Sequence, residues 1–89
     1  MERRKSNFTN RVHSIVRAIP RGKTLSYGEV ASRAGSPGAA RRVGTLMKNN
    51  TDPEIPCHRV IKADGSVGEY NRGGSKRKLQ LLRAEGVSV

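Results

Sequence analysis

Helix stops and starts crowd the stretch from Pro20 to Gly38 and leave room only for short elements. Ahead of it, Phe8, Val12, Ile15, Val16 and Ile19 recur at helical spacing and make one apolar stripe. Pro20-Arg21-Gly22 ends that helix, since proline lacks a backbone donor and glycine favours a turn. Thr24 and Leu25 read as briefly extended. Ser26 and Glu29 form a capping-box pattern, which opens a short helix through Val30, Ala31 and Ala34. Gly35 suits the left-handed position after its last turn. Ser36 and Pro37 read as the N-cap and first residue of a second helix, carrying Ala39, Ala40, Val43, Leu46 and Met47. Two short helices joined by a tight glycine-containing turn are a helix-turn-helix pattern.

The remaining chain is sparser. Asn49 to Pro56 reads as a loop. Asp64-Gly65, between Val60-Ile61 and Val67, signals a hairpin-like turn with very short strands. Asn71-Arg72-Gly73-Gly74 is a flexible or close-approach loop. Ser75 reads as the cap of a last helix with Leu79, Leu82 and Val87 near one face, ended by Gly86. The fold class expected is mainly α: a small winged-helix-like, helix-turn-helix domain with a minor extended patch near the single cysteine. With 89 residues, one domain covering 1–89 is expected, its first six residues disordered and no N-terminal accessory domain before it. One Phe, two Tyr and no Trp leave a small, mostly aliphatic core.

Charge points to the partner. Eighteen Lys and Arg against seven Asp and Glu give a net charge of +11, which attracts polyanions. Nucleic acid is the first partner to expect and an anionic membrane surface the second. Arg41, Arg42 and Lys48 make the second helix of the pair basic, and Gly38, Ala39 and Ala40 permit close approach at its start. Arg41 could contact phosphate, reach a base, or fill the gap left by an extruded nucleotide. The plainer alternative is a core-packing helix pair with a solvated basic face. No apolar run approaches the ~18 residues a membrane-spanning helix needs, and MERRKSNF has no apolar signal region. One cysteine forms neither an internal disulfide nor a Cys-rich zinc site, so a reducing, cytoplasmic setting is expected, with no metal and no cofactor.

Pro56-Cys57-His58-Arg59-Val60 is the strongest chemical signal. A thiol attacks as its thiolate, which nearby cations or a base favour. The alternative is a buried packing cysteine with an accidental neighbour. Adjacent residues of a strand point to opposite faces, so Cys57 and His58 share a site only if the backbone turns there or water bridges them. Tyr27 and Tyr70 are either packing aromatics or site residues. Glu85 sits in a last helical turn, against the helix dipole, which hints at a partner such as His58 or a backbone amide, or else at plain exposure. His13 reads as an ordinary helix-face residue.

PCHRV, preceded by SYGEVA and AARRVG and followed by DGSVGEYNRGG and LLRAEG, resembles the C-terminal active-site domain of O6-alkylguanine-DNA alkyltransferases over about residues 8–87. The resemblance implies a single-use DNA repair protein that moves an alkyl group from guanine O6 in double-stranded DNA to a cysteine, as a monomer and without a cofactor. On matching positions Cys57 is the acceptor, His58 deprotonates it through a water, and Glu85 orients His58. Asn50 braces the active-site turn, and Tyr27 gives a proton to guanine N3. Arg41 replaces the flipped nucleotide. The base pocket is expected from Tyr27, Met47, Val60, Tyr70 and Asn71, with the Asn71 amide near guanine O6. DNA contacts are expected from Ala39, Ala40, Arg41, Arg42, Lys48, Arg59 and Arg72. The basic run Lys76-Arg77-Lys78 adds phosphate contacts.

Three departures stand out. The family's usual N-terminal domain is not expected in this chain. Its loop before Pro56 is one residue shorter than the commonest pattern, so counting from Met47 selects Asn50 while counting back from Cys57 selects Asn49. The ungapped helix favours Asn50. The Asn71–Gly74 loop also differs. Two other functions fit parts of the pattern. Alkyltransferase-like proteins bind alkylated guanine and recruit other repair factors, but typically replace the cysteine, which this chain keeps. In a plain helix-turn-helix regulator PCHRV would be accidental.

Overall fold

The computed structural model describes residues 7–68, 70 and 72–88. Residues 1–6, expected to be disordered, and Asn71, expected in the base pocket, lie outside the described residues.

Helix α1 spans Phe8–Arg17 and is capped by Asn7, whose Oδ1 accepts from the Asn10 amide at 2.9 Å. Phe8, Val12, Val16 and Ile19 are buried and Ile15 is partly buried against the same cluster. Taking one such side chain fully out of water contributes about 1.5–3 kcal/mol, so the expected stripe is what seats α1 on the rest of the chain.

Strand β1 is Leu25–Ser26 and helix α2 is Tyr27–Arg33. The capping box is present in full: the Glu29 amide donates to Ser26 Oγ at 3.0 Å, and the Ser26 amide donates to Glu29 Oε1 at 2.8 Å. After α2, Gly35 adopts φ +88°, a conformation that costs a side-chain-bearing residue about 1–2 kcal/mol. That turn lets the Ser36 amide reach the Ala31 carbonyl at 2.9 Å and the Gly35 amide reach that of Ser32 at 3.0 Å. Arg11 Nε donates to the Ala34 carbonyl at 2.8 Å and ties α1 to the same helix end.

Helix α3 spans Ala40–Asn49, so the expected start at Ser36 and Pro37 is corrected. Ser36 already belongs to the closing motif of α2. The chain instead makes one more turn, with the Ala39 amide on the Ser36 carbonyl at 2.9 Å, and Ala39 supplies no side-chain cap. Val30 and Ala31 from α2, with its C-cap Ala34, bury against Val43 and Met47 from α3. The helix-turn-helix expectation holds, with a longer turn than the sequence suggests.

Strand β2, Val60–Ile61, pairs in parallel with β1 in the register Leu25 to Val60 and Ser26 to Ile61. The expected pairing with Val67 is corrected. The Asp64-Gly65 turn does form, with the Gly65 amide on the Lys62 carbonyl and the Lys62 amide on the Ser66 carbonyl, both at 2.9 Å. Val60, however, is fully buried, and its backbone pairs with the segment entering α2.

Helix α4 spans Gly74–Ala84. Ser75 is therefore inside its first turn and does not cap it. Gly73, at φ +125°, bends the chain there, and a side chain on it would stand 2.8 Å from Arg77 Cβ. The buried positions of α4 are Lys78 and Leu82; Leu79, and Val87 beyond the helix, are partly buried. Among the described residues no helix is long and apolar enough to cross a membrane.

Candidate active site

The loop after α3 is braced from inside. Asn50 is 6% exposed; its Nδ2 donates to the carbonyls of Asp52 and Ile55, both at 3.3 Å, and its Oδ1 accepts from the Asp52 amide at 3.0 Å. Asn49 is exposed on the last turn of α3. Pro56, at φ −78° and ψ 70°, then makes a three-residue turn in which the Cys57 amide donates to the Ile55 carbonyl at 2.8 Å. A 3-10 turn over Cys57–Arg59 follows, its Arg59 amide on the Pro56 carbonyl at 2.9 Å. The backbone therefore turns at the cysteine, and the opposite-faces rule of a strand does not apply.

Two clefts flank this turn. Cys57, 4% exposed, lines the larger, of about 1110 Å³, with Tyr27, Met47, Tyr70 and Lys78. His58 lines the smaller, of about 510 Å³. Tyr70 lines both and meets the His58 ring edge-on, with centroids 6.4 Å apart. Burial, then the nearby Cys57, pushes the Tyr70 hydroxyl above the usual phenol range. Among the described residues no direct hydrogen bond joins the Cys57 sulfur to His58.

Behind the turn, His58 Nε2 lies 2.9 Å from Glu85 Oε2. Glu85 is the C-cap of α4, held there because Leu82 is buried one turn earlier and the helix ends at the following glycine. Arg59 grips the same carboxylate: Nε donates to Oε1 and Nη2 to Oε2, each at 2.9 Å. Its Nη1 donates to the Ile19 carbonyl at 2.8 Å. The Arg59 guanidinium, with help from His58, holds the Glu85 carboxyl down at about 2 against the opposing effect of burial. Arg59, expected among the DNA contacts, spends these three bonds inside the chain. Its side chain is 17% exposed.

Sequence reasoning missed Lys78. Grouped by sequence with surface cations, it is 1% exposed, and its Nζ donates to the Tyr27 hydroxyl oxygen at 3.2 Å and sits 5.5 Å from that ring's centroid. Burial pulls its ammonium down to about 8, against the upward pull of the Cys57 sulfur. The signal available was spacing, since Lys78 lies four residues before the buried Leu82 on one helix face.

The basic side chains divide. Arg41 and Lys48 are exposed and share the Cys57 cleft with Ala40 and with Lys62, a residue the sequence did not single out. Arg42 lies over the Phe8 ring, 4.4 Å from its centroid, and Ala39 packs against the core. Arg72 is exposed on the other cleft, beside His58. Val60 has its side chain in the core, which leaves only its backbone for a ligand.

This combination of a helix-turn-helix with a buried cysteine turn backed by His and Glu has close counterparts. The family described as 6-O-methylguanine DNA methyltransferase, DNA binding domain, matches residues 7–87. The methylated-DNA–protein-cysteine methyltransferase of Methanothermobacter thermautotrophicus is 51% identical over 85 residues, 94% of this chain and 47% of that protein. Mycobacterium tuberculosis OGT, solved in complex with DNA, superposes with a TM-score of 0.83 at 46% identity, over 90% of this chain and 49% of that one. S. pombe Atl1, in complex with damaged DNA containing O6-carboxymethylguanine, gives a TM-score of 0.81 at 34% identity, over 99% of this chain and 82% of that one. The chain belongs to the 6-O-methylguanine DNA methyltransferase family, in its DNA-binding domain. It spans about half the length of the curated relatives it matches.

Proposed function

We propose that this chain repairs O6-alkylguanine in double-stranded DNA by irreversible transfer of the alkyl group to Cys57, and that it corresponds to the C-terminal, active-site half of its longer relatives. The helix pair α2–α3 docks on the duplex through Ala40, Arg41 and Lys48. The target carbon is inaccessible within a base stack, so the nucleotide is extruded into the Cys57 cleft, and Arg41 takes its place. Tyr27, Met47, Tyr70 and the backbone of Val60 surround the base.

The thiol proton of Cys57 passes through a water to His58, which Glu85 orients. The thiolate sulfur bonds to the alkyl carbon as the carbon–O6 bond breaks, and its electron pair stays with guanine. Tyr27 gives guanine N3 a proton, so the base leaves neutral, and the ammonium of Lys78 steadies the phenolate left behind. The thioether has no easy leaving group, so each chain acts once.

One observation carries this reading. The chain's single cysteine lines the cleft walled by Ala40, Arg41 and Lys48 of the recognition helix, with the His58–Glu85 pair behind it. The test is the fate of the DNA. After incubation with an O6-methylguanine duplex, nucleoside analysis is expected to find guanine restored, with no base lost and no strand cut. Persisting O6-methylguanine would reject transfer. A second reading, a binder that holds alkylated guanine without transferring the group, is favoured by the match to most of the S. pombe Atl1 chain. In that case the lesion survives although the complex forms.

A further inference from the structure

Glu85 is shared between two partners. Its Oε2 lies 2.9 Å from both His58 Nε2 and Arg59 Nη2, and Oε1 takes Arg59 Nε. The three side chains are 9%, 13% and 17% exposed for Glu85, His58 and Arg59. A guanidinium is charged at every relevant pH. The single negative charge of Glu85 is therefore balanced before the imidazole takes up any proton. A carboxylate that faces only an imidazole draws a proton onto the ring, because opposite charges a few ångströms apart favour the charged form.

Here that proton would give a mostly buried trio a net positive charge. The surroundings do not offset it. The cleft facing His58 carries Arg17, Arg72 and Arg77, with Glu54 as its one acid among the described residues and Tyr70 edge-on to the ring. Arg17 is itself 3.6 Å from Asp52. On the other side of the turn lie Cys57 and, in its cleft, Lys62 and Lys78.

We infer that Arg59 is a positioning residue for alkyl transfer: it fixes Glu85 and keeps the His58 ring neutral, with Nε2–H donated to Glu85 and Nδ1 left as the free basic nitrogen. Its third bond, to the Ile19 carbonyl at the end of α1, anchors the arrangement to the core. The inference rests on the proposed function for its catalytic meaning, and on the geometry of the trio for its chemistry.

The test compares wild type, Arg59→Gln and Arg59→Lys across pH in two reactions. One is single-turnover transfer from a saturating O6-methylguanine duplex. The other is carboxamidomethylation of Cys57 by iodoacetamide without DNA, which reads thiolate formation alone. In Arg59→Gln the acidic limb of both profiles is expected to move up by about one pH unit. On the acidic limb itself the rate then falls about tenfold at a given pH, while the alkaline plateau is nearly regained. Arg59→Lys keeps the charge and is expected to keep the limb in place.

A uniform loss at every pH with an unmoved limb would mean that Arg59 is only structural, and would overturn the inference. So would a limb that moves down. If Arg59→Gln fails to fold, ring-nitrogen NMR of the wild type decides: a neutral Nε2–H imidazole near pH 7 supports the inference, and an imidazolium overturns it. If wild type transfers nothing while the iodoacetamide limb still shifts, the proposed function fails and the role of Arg59 in the trio stands.

Discussion

Lys78 donates to the phenolic oxygen of Tyr27 across 3.2 Å from a position that is 1% exposed. An ammonium accepts no hydrogen bond, so in this pair the Tyr27 oxygen is the acceptor. The cost of this arrangement is a buried charge. Lys78 titrates at about 8 in the folded chain and at 10.5 as an ordinary lysine. Between those values the unfolded chain binds more protons, so this group makes stability rise with pH. Below about 8 the penalty is present in full.

Lys78→Met is accordingly expected to raise the melting temperature near neutral pH, by roughly 5 °C for each kcal/mol recovered. The advantage should shrink as pH climbs from 8 towards 10.5. Single-turnover transfer should slow by roughly tenfold or more, since the phenolate loses its stabilising cation. Thermal melts at several pH values and quenched-flow rates check both parts. A destabilised variant with unchanged rate would contradict the role.

His58 and Glu85 should behave as one unit. If Glu85 acts through His58, then His58→Ala, Glu85→Gln and the double change all remove the same activation, and their effects on rate will be strongly non-additive. Stability supplies a control. The Glu85 carboxyl is depressed from 4.5 to about 2, so its contribution is complete above about 4.5 and is lost as pH falls through about 2. Acid melts of Glu85→Gln should lack that component. Multiplying rate effects would separate the two residues.

Much of this was legible in the sequence, and the failures share a cause. The stripe from Phe8 to Ile19, the capping box at Ser26 and Glu29 and the turn at Gly35 are local patterns, written within a few residues. The parallel pairing of Leu25 with Val60 is not local, and no turn residue announces it. The burial of Lys78 and Arg59 was not legible for a related reason. Charge is ordinarily a sign of exposure, and what brings these two inside is a partner far away in the chain, Tyr27 for one and Glu85 for the other. Ser36 reads as a helix cap until the closing motif of α2 is seen to include it.

Asn50 and Asn49 should differ sharply. Replacing the buried Asn50 by Ala takes the side-chain acceptor from the Asp52 amide and one of two donors from the Ile55 carbonyl, a loss of about 1–3 kcal/mol. The exposed Asn49→Ala should stay within about 0.5 kcal/mol of wild type. Urea unfolding of both variants decides, and equal effects would remove Asn50 as the brace of the cysteine turn.

Arg41 should matter for extrusion more than for affinity. It lines the Cys57 cleft from the first turn of α3. Arg41→Ala should lower the salt slope of duplex binding by at most about 0.9, yet markedly slow transfer from duplex DNA. A free O6-alkylguanine base needs no flipping and should react almost normally. Equal losses on duplex and free base would contradict the role.

The central claim is that Cys57 takes the alkyl group and keeps it. Intact-mass spectrometry of the chain after mixing with excess O6-methylguanine duplex tests this most directly. The expected result is a single added methyl, one per chain however large the excess, mapped by peptide fragmentation to Cys57 and absent in Cys57→Ser, which should still bind DNA. An unchanged mass on a chain that binds the damaged duplex, or a methyl mapped to any other residue, would contradict the account.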